Sequence, residues 1–164
     1  MSAQWQRLIV EASGYIELGM LEEAAKTLEG IKAEDETRNE VLGVRLELYM
    51  AEKKWDLAAQ VARHLVETGP ENAGAWVNLA YSVRRSESLS EAERILLKAS
   101  SFHPNNALIV YNLACYACVA GHVEEAKNRL QLAFDLAPSF RDLALEDLDL
   151  LPLWDWVNHS ESQR

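Results

Sequence analysis

Two cysteines stand three apart, in Cys115-Tyr116-Ala117-Cys118. A pair at that spacing does redox work when one thiol is held as a thiolate by a helix N-terminus or a nearby cation. It holds zinc when two further Cys or His side chains complete a tetrahedron. The chain supplies no second C-x-x-C, and His64, His103, His122 and His159 follow no spacing of a metal helix or a catalytic triad. No glycine-rich phosphate loop occurs. The carboxylate pairs Glu22-Glu23 and Glu124-Glu125 fall at expected helix starts, where they favour the helix dipole without any catalytic role. The expectation is a protein that is not an enzyme, with no cofactor and no metal.

Charge narrows the partners. Acidic residues outnumber basic ones 26 to 16, for a formal net charge of −10 over 164 residues. Such a surface repels phosphate, which disfavours nucleic acid and anionic membrane. No stretch approaches the roughly 18 uncharged apolar residues of a membrane span. The first residues carry no secretory pattern, since Leu8-Ile9-Val10 is cut at once by Glu11. Two neighbouring cysteines make no disulfide framework, so a reducing cytoplasmic setting is expected.

The elements that must carry any site are set by an internal repeat. Pro70, Pro104 and Pro138 recur every 34 residues, giving blocks 5–38, 39–72, 73–106 and 107–140. Their twentieth positions are Ala24, Ala58, Ala92 and Ala126, and their twenty-fourth Leu28, Ala62, Leu96 and Leu130. Apolar residues at positions four, seven or eight, and eleven mark one face of a first helix. Gly19 and Gly121, at position fifteen, suit a left-handed helix end. In block three Ser88 with Glu91, or Ser90 with Glu93, offers a capping box instead. The alanine at twenty leaves room for two helices to cross closely, and the proline stops the second helix. The cysteines then fall in mid-helix, away from any dipole end.

A 34-residue helix–turn–helix unit with small residues at eight and twenty and proline at thirty-two resembles the tetratricopeptide repeat family. Blocks three and four carry the pattern most fully, as Trp76-x2-Leu79-Ala80-x2-Val83…Ala92…Leu96…Ala99…Pro104 and Val110-x2-Leu113-Ala114…Gly121…Ala126…Leu130…Ala133…Pro138. The resemblance spans 5–140 and is nearest to small bacterial members. It implies an all-α fold, a right-handed superhelical array of four repeats in one domain over 1–158. Blocks one and two depart at position seven, where Glu11 and Arg45 stand; the expectation is that these two pair across adjacent first helices.

The resemblance also implies a concave groove lined by the first helices. Its polar part consists of Asn78, Tyr81, Arg84 and Arg85 of block three and Tyr111, Asn112 and Cys115 of block four. Asparagines can hold a peptide by its amide groups, arginines grip carboxylates, and tyrosines add flat area. The lysine–asparagine clamp by which some family members hold a chaperone's terminal carboxylate is missing: its positions read Ile9 and Ser13, Gly43 and Glu47, Val77 and Tyr81. The implied function is a non-catalytic interaction module, an adaptor or scaffold binding a peptide or protein. Alternatives are an acidic secretion chaperone of the same build, or a structural homodimer. Residues 141–157 follow the last repeat, and 159–164 are expected as a disordered tail. An open array needs its end covered, so Leu148, Leu151 and Trp154 are expected to tuck against block four. The alternative use of this segment is self-association through Leu153, Trp154 and Trp156.

Overall fold

A computed structural model describes residues 3–160. Among these the chain forms ten α-helices and one 3-10 helix, with no strand. Each block gives two helices: α1 Gln4–Glu17 and α2 Leu21–Glu29, α3 Asn39–Ala51 and α4 Trp55–Thr68, α5 Ala73–Ser86 and α6 Leu89–Phe102, α7 Ala107–Val119 and α8 Val123–Leu136. Then come α9 Phe140–Ala144, the 3-10 helix Leu148–Leu153 and α10 Trp154–His159. The helices gather into two compact units, Met1–Ser88 and Leu89–Arg164. Block three gives α5 to the first and α6 to the second.

The repeat columns explain the elements. All four position-twenty alanines are fully buried, where any larger side chain would force packed helices apart. Three first helices end alike. Met20 N–H bonds to Tyr15 C=O at 2.8 Å and Gly19 N–H to Ile16 C=O at 3.0 Å. Lys54 and Lys53 repeat this on Tyr49 and Met50, and His122 and Gly121 on Ala117 and Cys118. This double bond pattern closes a helix over a residue of positive φ. Gly19 and Gly121 take that conformation, and so does Lys53, at φ 58°. The second helices α4, α6 and α8 each stop two residues before their proline. Block one has Glu36 in its place, and α2 is only 9 residues long against 14 for the others. The first helices of blocks three and four begin at Asn72 and Asn106, whose side-chain oxygens accept from Ala75 N–H at 3.2 Å and Ile109 N–H at 3.1 Å.

In the first unit, α1 packs on α2 and α3, α3 on α4, and α4 on α5. Trp5, Ala12, Ala24, Leu28, Val41, Val44 and Leu48 form one core cluster, with Ile9 and Ile16 partly buried against it. The expected pairing of Glu11 with Arg45 does not occur. Glu11 is exposed, because Ala12 beside it turns to the core. Arg45 instead bonds Glu36 at 3.3 Å and the Leu28 carbonyl at 3.4 Å. It thereby holds the loop that replaces the missing end of the second helix in block one.

In the second unit, α7 packs against α6 and α8 and also against the 3-10 helix. From Ile109 to Cys118 only Asn112 keeps appreciable solvent contact. An uncharged helix of this kind is stable only when covered all round. The cover differs from the expected set. Leu148 and Leu151 are 76% and 54% exposed, while Leu150, Leu153 and Val157 are buried. A 3-10 helix repeats every three residues, and the register set by Asp147, which caps it through Asp149 N–H at 3.0 Å, sends Leu150 and Leu153 inward. His159 closes α10, and the Ser160 hydroxyl donates to the Val157 carbonyl at 2.9 Å. The chain is therefore helical and bonded two residues into the segment expected as a tail. Residues 161–164 lie outside the described residues.

Candidate protein-interaction sites

Asn78, Tyr81 and Arg85 lie three and four residues apart on α5, which places them along one stripe of the helix. The start of α4 faces the end of this stripe. Trp55 meets Tyr81 edge to face, with ring centroids 5.6 Å apart. The Arg85 guanidinium lies 3.4 Å from the Tyr81 ring centre and 5.1 Å from that of Trp55, and donates to the Tyr81 carbonyl at 3.1 Å. A guanidinium stacked on two aromatic faces is held in place yet keeps its remaining donors for a ligand. Beside it opens a cleft of about 530 Å³ lined by Lys53, Lys54, Trp55, Asp56, Leu57, Arg85 and Ser86. Lys54 is paired with Glu52 at 2.8 Å. Three cations and one carboxylate line this cleft, in a protein of net charge −10. The first N–H groups of α4, with no side-chain cap on them, add to the positive potential. Arg84 is half-buried and engaged within the protein. Lys53, Lys54 and Trp55 were not among the residues expected from sequence. They sit at a turn, which the groove positions implied by the resemblance pass over.

The block-four residues have a different fate. Tyr111 and Cys115 are 3% and 2% exposed, so neither is open to a partner in this conformation. The chain's own Asp147 occupies the place of a ligand: Tyr111 Oη–H donates to its Oδ2 at 2.9 Å and the Cys115 thiol to the same oxygen at 3.5 Å. The Tyr111 ring stacks on Phe140, with centroids 5.1 Å apart. Trp154 Nε1–H donates to the Asp147 carbonyl at 3.2 Å. Asn112 turns back to its own helix, donating to the Leu108 carbonyl at 2.9 Å. Burial pushes the Cys115 and Cys118 thiols above their usual range, and the carboxylates of Asp147 and Asp149 add to the effect. Burial does the same to the Tyr111 phenol, reinforced by Cys115 and Asp147. A reactive cysteine pair requires the opposite shift. Of the three residues expected to self-associate, Leu153 is core, at 2% exposure, and Trp154 and Trp156 are half-buried.

Among the described residues no three His, Cys, Asp or Glu side chains gather to hold a metal. No helix among them is long and apolar enough to cross a membrane.

Solved structures resemble this chain. One titled "MamA MSR-1 C2" superposes with a TM-score of 0.66 at 22% identity, over 78% of this chain and 74% of its own. Another, "Crystal structure of MamA", gives 0.71 at 14% identity, over 84% and 80%. A third, YrrB, described as "a TPR protein with an unusual peptide-binding site", gives 0.63 at 18% identity, over 77% and 66%. No protein-family model matches the chain, and no curated protein does. The class is settled by fold: this is an all-α structure of the tetratricopeptide-repeat type.

Proposed function

We propose that the chain is a non-catalytic cytoplasmic adaptor that holds an acidic peptide segment of a protein partner at the cleft between α4 and α5. The observation that carries this reading is the stacked Trp55–Tyr81–Arg85 group beside Lys53 and Lys54. It joins flat apolar area to a pre-oriented cation, the combination that anchors peptide ligands. The fold type supports an interaction role, and YrrB shows that a peptide-binding site occurs on such a fold. The alternative of a homodimer through the C-terminal segment loses Leu153, which is buried in its own unit.

The test uses two synthetic peptides of equal length, one rich in Asp and Glu and one rich in Lys, titrated calorimetrically. The acidic peptide should bind, more weakly as salt rises, and the basic one should not. Arg85→Glu should weaken binding about tenfold or more, since a charge-assisted bond is lost and a like charge introduced, with unchanged helical circular dichroism. Equal binding by wild type and Arg85→Glu would place the site elsewhere.

A further inference from the structure

The geometry points to a second recognition surface, on α7, that accepts a partner segment in which a carboxylate is followed at the third and sixth residues by leucines. Asp147, Leu150 and Leu153 of the chain itself occupy that surface as a built-in competitor. The inference rests on reading the chain as a binding module.

Tyr111 and Cys115 stand one turn apart on α7 and converge on a single oxygen of Asp147. Asp147 Oδ1 caps the 3-10 helix, a task that does not use Oδ2, and a half-buried carboxylate oxygen set against an apolar helix costs free energy unless donors receive it. Here two almost fully buried donors do, and both come from the helix being covered. The arrangement reads chemical identity as well as excluding water: a segment without the carboxylate would leave a buried hydroxyl unpaired. Leu150 and Leu153 follow at one-turn intervals of the 3-10 helix and fill the apolar face, while Leu148, Leu151 and Pro152 remain outside. The segment's far end is held separately. Arg141 Nη1 donates to the Val157 carbonyl at 2.9 Å and to Ser160 Oγ at 2.6 Å, with its guanidinium over the Phe134 ring. The contacts with α7 through Asp147, Leu150 and Leu153 are separate from those that hold α10, so the first set can open while the second stays closed.

Cys115 reports on this directly, because its thiol is covered by the segment and by nothing that belongs to the α4–α5 cleft. The experiment follows modification of the two thiols by an aromatic disulfide in the full chain. The added probe is a synthetic peptide of residues 145–160. Asp147→Ala should speed modification of Cys115 about tenfold or more. The peptide should restore protection, and the same peptide carrying Asp147→Ala should not. If Asp147→Ala fails to fold, the wild type answers. Below its unfolding transition, Cys115 should become reactive with a much shallower urea dependence than global unfolding, and the peptide should suppress that reaction. Equal urea dependences, or protection indifferent to the peptide or its carboxylate, would overturn the proposal. Failure of the acidic peptide at the cleft, read by Arg85→Glu, would leave this result standing.

Discussion

Lys53 occupies the repeat position where blocks one and four place glycine, and it adopts the same left-handed conformation at φ 58°. An L-residue is strained there by about 1–2 kcal/mol, against the 0.5–1 kcal/mol of extra chain entropy that glycine gives up on folding. Lys53→Gly should therefore raise stability by about 0.5–1 kcal/mol, measured by urea denaturation. It should also weaken acidic peptides at the cleft that Lys53 lines. A strained residue kept where its charge faces a cleft is the pattern expected of a binding position. The same column of the repeat made Gly19 and Gly121 legible as helix ends. Lys53 was not, because lysine carries no signature for positive φ. Glu11 was not legible either. Position seven is buried and apolar in the later blocks, as Leu79 and Leu113, whereas in α1 only its neighbour Ala12 is buried and Glu11 stands in water.

At the scale of elements, the prolines and the alanine column placed eight helices, because each residue type acts through a local rule that neighbours do not override. Asn72 and Asn106 sit two residues after their prolines and start α5 and α7, a signal available in the sequence. Asn72→Ala and Asn106→Ala should each cost about 1 kcal/mol, seen as additive shifts in the urea midpoint if the two caps act independently. The C-terminal cover was legible as a cover and not in its register. Helical spacing pointed to Leu148, Leu151 and Trp154, whereas the 3-10 period after Asp147 buried Leu150 and Leu153. The fate of α7 had a signal too: Ala107–Val119 carries no charge, and a helix facing an open groove needs a polar stripe. Tyr111 and Cys115 answer to that rule rather than to the groove positions of the repeat.

For the whole molecule, the buried acids set a pH limit. Cys115 ordinarily ionises near 9.0 and is pushed far above that value in the folded chain, mainly by burial; Cys118 and Tyr111 shift the same way. The unfolded chain therefore loses these protons first. Their contribution is complete below pH 9 and falls as pH rises beyond it, by at most about 1.4 kcal/mol per pH unit for each group. Urea midpoints should change little from these groups between pH 6 and 8 and drop above pH 9, with a smaller drop in Cys115→Ala.

The cover on α7 also has a consequence for biosynthesis. A ribosome makes α7 well before residues 147–157. Until those residues follow, the nascent chain carries an uncharged helix with one face bare. Translation that terminates between Phe140 and Asp147 releases a product in which all eight repeat helices are complete and this face of α7 is open. Residues 147–157 thus decide how long the face of α7 is left bare during synthesis.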